Sequence, residues 1–205
     1  MIAIADYGVG NIFSLYSSFN YLGADVKLTD KPEELVSAEK IVLPGVGAFG
    51  DAAEKLKKSG LFDVIINEAN SGKPLLGICL GMQLLFDKSY EYGEHEGLRL
   101  ISGEIAPIKD DIPSELKIPH IGWNALHFPK NREKSPIFKY LDEGEHVYFV
   151  HSFYGKNCEN SVAATAEYGR ELTAAVQNGN VYGTQFHPEK SGKAGLKILK
   201  AFTEL

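Results

Sequence analysis

Cysteine is scarce in this chain, with two among 205 residues, Cys79 and Cys158. That scarcity excludes a small disulfide-stapled scaffold, and two reduced thiols are expected. Long hydrophobic runs are missing too. The most apolar stretch, residues 74–86, is broken by Gly77, Gly81 and Gln83, and it falls short of the ~18 consecutive apolar residues of a membrane span. Nor is there a basic stripe. Lys and Arg number 21 against 27 Asp and Glu, a net charge of −6 with both signs interspersed, so no nucleic acid is expected as a partner. The chain opens Met1-Ile2-Ala3-Ile4-Ala5-Asp6, without the basic start and cleavage site of a signal peptide, which leads us to expect a cytoplasmic protein with no membrane partner. No repeat, low-complexity tract or composition break marks a linker. One domain over residues 1–205 is expected.

What is present is informative in its order. In the first 90 residues, short apolar runs at 1–5, 24–29, 40–43 and 74–78 read as buried strands. Between them lie helical patterns. Ile12, Leu15, Tyr16, Phe19 and Leu22 recur at helical spacing before Gly23, and residues 49–58, 61–70 and 81–86 follow suit. Strands separated by helices of this length imply a parallel sheet covered on both faces. The second half changes character: residues 98–105, 124–128, 145–153, 161–168, 173–176 and 181–186 read as strands with turn signals between several of them. A last helix is expected over 194–202. The predicted fold is α/β, a mostly parallel central sheet flanked by helices, with an antiparallel or mixed extension in the second half.

Gly77-Ile78-Cys79-Leu80-Gly81 has the form G-x-C-x-G where a strand pattern hands over to a helix pattern. This is a nucleophile-elbow layout with sulfur in place of the serine oxygen. The glycines let strand and helix crowd around a strained turn, and a helix N-terminus favours a thiolate. The Leu80 N–H could donate to an oxyanion. Of six histidines, His187 ends a strand pattern, in His187-Pro188-Glu189. Residues i and i+2 of an extended segment point to the same side, so Glu189 could orient the imidazole as a base for Cys79. Leu43-Pro44-Gly45-Val46-Gly47 could supply an oxyanion hole or cradle a phosphate; taken alone it reads as a plain turn, and no Gly-Lys-Ser/Thr makes it a P-loop. His120 and His151 match no metal-ligand spacing, so neither a metal nor a cofactor is expected.

Together these motifs resemble the class I (triad-type) glutamine amidotransferases over nearly the whole chain, a family with a flavodoxin-like α/β fold. Asp6-Tyr7-Gly8-Val9-Gly10-Asn11, Pro44-Gly45-Val46-Gly47, Met82-Gln83, Pro119-His120-Ile121-Gly122-Trp123-Asn124 and Gln185-Phe186-His187-Pro188-Glu189-Lys190-Ser191 resemble the branch of that family serving imidazole glycerol phosphate synthesis, in the histidine pathway. The resemblance implies that Cys79, His187 and Glu189 hydrolyse glutamine through a γ-glutamyl thioester. It implies an oxyanion hole at Gly45, Val46, Gly47 and Leu80. Gln83, Gly47 and the Ser152-Phe153 backbone would hold the glutamine, with Glu91 at its amino group. Ammonia would pass to a (β/α)8-barrel cyclase subunit in a heterodimer, with Asn11, His120, Trp123, Tyr148, His151 and Lys190 near the interface. On residues alone, Gln83 could be a surface glutamine and Trp123 a half-buried core aromatic. Three rivals remain: an amidotransferase serving another acceptor, a free-standing γ-glutamyl hydrolase, and an inert binding module on the same fold.

Overall fold

The computed structural model describes residues 1–205. Strand β1 (Ile2–Ala5) leads into α1 (Ile12–Tyr21), β2 (Val26–Thr29), α2 (Pro32–Ser37), β3 (Lys40–Leu43), α3 (Phe49–Lys58), α4 (Leu61–Asn70) and β4 (Leu75–Ile78). A short helix, α5 (Leu80–Leu84), precedes β5 (Phe86–Ser89), β6 (His95–Glu96), β7 (Ile101–Pro107), β8 (His120–Ala125), β9 (His146–His151) and β10 (Phe153–Lys156). The chain closes with β11 (Val162–Glu167), β12 (Glu171–Asn178), β13 (Val181–Thr184) and α6 (Gly192–Thr203).

The central sheet has seven strands in the order β11-β12-β13-β4-β3-β1-β2. From β13 to β2 every pairing is parallel, and β12 and β11 extend the sheet antiparallel beyond β13. This is the expected architecture. Strand β1 shows why its sequence is apolar without alternation. Ile2 and Ile4 pack with Leu15, Phe19, Ile198 and Phe202 on one face, while Ala3 and Ala5 join Leu56, Leu61 and Ile65 on the other. A strand covered on both sides buries both sets of side chains. No helix is long and apolar enough to cross a membrane.

Beside the central sheet lie a four-stranded sheet, β10-β7-β5-β6, and the antiparallel pair β8-β9. Here the sequence reading needs correction. The helix expected over 81–86 stops at Leu84, because the N–H groups of Leu98, Leu100 and Ile101 take the carbonyls of Leu84 and Leu85. The strand expected over 145–153 is two strands in two sheets. β9 pairs with β8, β10 pairs with β7, and the Ser152 carbonyl between them accepts the Ile108 N–H. The strand expected over 124–128 begins instead at His120, in register with His151, and His127 leaves it to bridge Thr165. Helix α2 had no clear helical signal in the sequence, its six residues being too few to show a period.

Candidate active site

Five parallel strands end along one edge of the central sheet, and the expected chemistry collects there. Cys79 follows β4 directly, with φ 55° and ψ −112°. A non-glycine residue rarely adopts that left-handed backbone, and such strain is typically held by its surroundings. Here the Cys79 N–H donates to the Thr184 carbonyl at 2.7 Å, across the β4–β13 ladder. The framing glycines are demanded by close approach. A Cβ on Gly81 would overlap the Leu43 carbonyl, and one on Gly77 would stand 2.7 Å from the Gly81 oxygen. Helix α5 has only five residues, so its dipole gives the thiol less help than a full helix N-terminus would.

His187 sits just past β13. Its N–H donates to the Tyr148 carbonyl at 3.1 Å, and the buried Ser191 hydroxyl donates to its carbonyl at 2.6 Å. Glu189 lies in a 3₁₀ turn over Pro188–Lys190, so the turn, rather than the pleat of a strand, brings the two side chains together. Glu189 Oε1 accepts from His187 Nδ1 at 2.8 Å, with both side chains almost fully buried. Burial pulls His187 toward its neutral form. Its neighbours Cys79 and Glu189 outweigh that and push it up to about 9. An imidazolium beside the sulfur is the form that favours a thiolate.

A cavity of about 280 Å³ opens onto Cys79 and His187. Val46, Gly47, Leu80, Gln83, Glu91, Ser152 and Phe153 line it with them, so most of the expected substrate-binding residues are brought together. Gly45 lies buried behind this wall, packed too close to Gly81 and Leu80 to carry a side chain. Several expected donors and acceptors are already engaged. The Leu80 N–H reaches the Gly45 carbonyl at 3.3 Å, so it is not free for an oxyanion. The Phe153 carbonyl accepts from both Gln83 Nε2 and His151 Nδ1, which fills its two lone pairs and removes it as a glutamine acceptor. One Glu91 oxygen accepts the Phe49 N–H at 2.6 Å at the start of α3; burial raises the Glu91 carboxyl, and that hydrogen bond offsets part of the rise.

The residues expected near an interface fall into two groups. Trp123 is 53% exposed and meets the half-buried Tyr148 across the strands with their rings tilted at 59°, with Lys190 exposed and Asn11 at the start of α1. His120 and His151 lie in the interior instead, 2% and 6% exposed, with His120 Nδ1 3.0 Å from His151 Nε2. They offer a partner no surface, because β8 and β9 turn these side chains inward. His151 lines the cavity, and burial holds its imidazole down to about 3, in the neutral form. The Phe153 carbonyl can only accept, so the proton sits on Nδ1.

Sequence reasoning gave no site role to four residues here, three of which stand in motifs it quoted. Pro119 and Val150 line the cavity as loop and strand neighbours of named positions. Tyr7, just past β1, donates its hydroxyl to the Pro44 carbonyl at 2.7 Å, and burial raises its phenol, with Cys79 adding to the effect. Gln185 is fully buried with Nε2 3.9 Å from Cys79 Sγ. Its signal was an amide side chain within the strand expected over 181–186, at the position just past β13.

The model of the family described as glutamine amidotransferase class-I matches residues 3–204. The chain belongs to that family. This amidotransferase chain is 47% identical over 209 residues to the imidazole glycerol phosphate synthase subunit HisH of Syntrophotalea carbinolica, with all of both chains covered. It is 46% identical over 207 residues to the protein of the same name in Wolinella succinogenes, again over both full lengths. Among solved structures, a glutamine amidotransferase shares the fold at a TM-score of 0.75 and 18% identity, covering 100% of this chain and 99% of that one. PurLQS from Thermotoga maritima shares it at 0.73 and 21%, covering 99% and 97%.

Proposed function

We propose that this chain, acting as one domain over residues 1–205, is the glutaminase subunit of a cytoplasmic imidazole glycerol phosphate synthase. It releases ammonia from glutamine for a cyclase subunit of the histidine pathway. The observation that carries the reading is Cys79 and His187 at one cavity, with Glu189 bonded to the imidazole behind it, in a chain about 46% identical, end to end, to proteins named for that subunit.

The chemistry follows from the geometry. The Cys79 proton passes to His187, giving a thiolate beside an imidazolium, and Cys79 Sγ then attacks the amide carbon of glutamine. The carbon–nitrogen bond then breaks as the imidazolium gives that proton to the departing ammonia, leaving a γ-glutamyl thioester. Water gives a proton to His187 and adds to the thioester carbon. The carbon–sulfur bond breaks, glutamate leaves, and the proton returns to sulfur. Glu189 holds the imidazole orientation throughout. The tetrahedral oxyanion needs N–H donors from Leu80 and the Gly45-Val46-Gly47 segment, each worth about 3 kcal/mol of barrier. Since the Leu80 N–H is bonded to the Gly45 carbonyl, the segment has to turn before that donor is free. Identical backbone angles at residues 45–47 in free and partner-bound protein would exclude such a turn. A partner has apolar surface to meet at Ile118, Ile121 and Trp123, each more than 40% exposed.

Glutamate release from glutamine is measured with and without the cyclase subunit and its nucleotide substrate, with Cys79→Ala as a blank. Strong release only with the loaded partner is the expected result. Equal release from the isolated chain would favour a free-standing hydrolase.

A further inference from the structure

The Cys79 sulfur has a second polar neighbour besides His187. Gln185 is fully buried, two residues before His187, with its side-chain Nε2 3.9 Å from Cys79 Sγ. Gln83, 5% exposed and one turn beyond Cys79 on α5, bridges Gln185 to the backbone. Its Nε2 reaches the Phe153 carbonyl at 3.1 Å and Gln185 Oε1 at 3.0 Å.

These contacts fix the direction of both amides. The Phe153 carbonyl can only accept, so the end of Gln83 facing it is the NH₂ end. The second proton of that NH₂ goes to Gln185, so the oxygen of Gln185 faces Gln83. The NH₂ of Gln185 is thereby turned toward the sulfur. Reversing Gln83 would set oxygen against oxygen at both Phe153 and Gln185, and reversing Gln185 would set NH₂ against NH₂ between the two glutamines, inside a buried wall where such a loss costs the full desolvation of the group.

We propose that Gln185 is a further catalytic residue: its Nε2–H donates to Cys79 Sγ and stabilises the thiolate, and the Phe153 carbonyl, acting through Gln83, aims that donor. No bond to Gln185 forms or breaks, and the thiol proton still goes to His187. A separation of 3.9 Å is long, as hydrogen bonds to reacting atoms often are before substrate binds. The arrangement also restricts Gln83. Both of its N–H protons are committed, so only its Oε1 is left for glutamine, as an acceptor from a substrate N–H group.

This role rests on Cys79 being the nucleophile. The test is the rate of Cys79 alkylation by iodoacetamide against pH, located by peptide mass, together with glutamate release by the partner-bound enzyme. Gln185→Met removes the donor at similar length. It is expected to move the alkylation midpoint up by about one pH unit and slow alkylation roughly tenfold at neutral pH. Gln83→Met frees the Gln185 amide to rotate and is expected to move the midpoint the same way by less. An unmoved midpoint in folded Gln185→Met overturns the role. The unaltered protein provides a test independent of any variant's folding: the Gln185 side-chain amide signal, in glutamine-labelled protein, is expected to titrate with the alkylation midpoint. An amide signal indifferent to thiol ionisation also overturns the role. Failure of the nucleophile reading looks different, since Cys79→Ala would then still release glutamate.

Discussion

The two cysteines sit in regions that are equally buried and chemically opposite. Cys79 and Cys158 are 8% and 4% exposed. Cys158 stands just before β11 among apolar neighbours, with the Thr173 hydroxyl 3.7 Å away. Burial pushes its thiol up to about 11, the Thr173 contact pulls it back only in part, and Glu159 adds to the rise. Cys79 lies at the C-terminal edge of the parallel sheet, against an imidazole that Cys79 itself and Glu189 push toward its protonated form and an amide aimed by Phe153. Burial alone therefore makes a cysteine a small hydrophobe. Fixed partners of the right polarity in the same low-dielectric interior make it reactive.

The contrast can be broken most directly by removing each sulfur in turn. Cys79→Ala is expected to reduce glutamate release by the partner-bound enzyme on the order of 10⁴-fold or more, as removal of a nucleophile generally does. Cys158→Ala should leave release within about twofold and lower stability by roughly 1 kcal/mol in a urea titration, the cost of a small buried group. Comparable losses from both would erase the distinction.

Alkylation of the unaltered chain sharpens it without mutation. Near pH 8 a thiol of pKa about 11 is thiolate only about one part in 10³, so Cys158 should be labelled slowly, and Cys79, which lines the open cavity beside His187, well ahead of it. Peptide mass mapping over time reads the ratio, and equal labelling would show that the two environments do not differ as described.

The smallest effect is a pH dependence. His187 is raised from 6.5 to about 9, so the imidazolium is favoured in the folded protein. Its stabilising contribution is complete below about pH 6.5 and is lost as pH rises through about 9. The same proton goes to the departing ammonia. Glutamate release should therefore fall as pH passes about 9, approaching tenfold per unit, and Glu189→Gln should bring that fall to lower pH. A profile flat to pH 10 would separate His187 from the proton transfer.

Much of the first half was legible because its information is local. Helices α3 and α4 run over 49–58 and 61–70 as their apolar spacing requires, and β3 ends at the Pro44-Gly45 punctuation. The second half was legible as strands but not as sheets. The run of strand-forming residues through 145–153 is unbroken, yet residues on either side of Ser152 serve different partners, and nothing in that run encodes which neighbour a strand meets.

By itself the sequence determined the chemical vocabulary of this protein: a thiol framed by glycines, an imidazole and carboxylate around a proline, and a sheet that had to be mostly parallel. Each of these follows from short-range sterics and periodicity within a few residues. Only the tertiary structure decided which amides and carbonyls face the thiol. It aimed Gln185 and Gln83, separated by 102 positions, turned His120 and His151 inward, and set the Leu80 N–H on the Gly45 carbonyl. Those choices depend on hydrogen-bond polarity between segments far apart in the chain, which no local pattern carries.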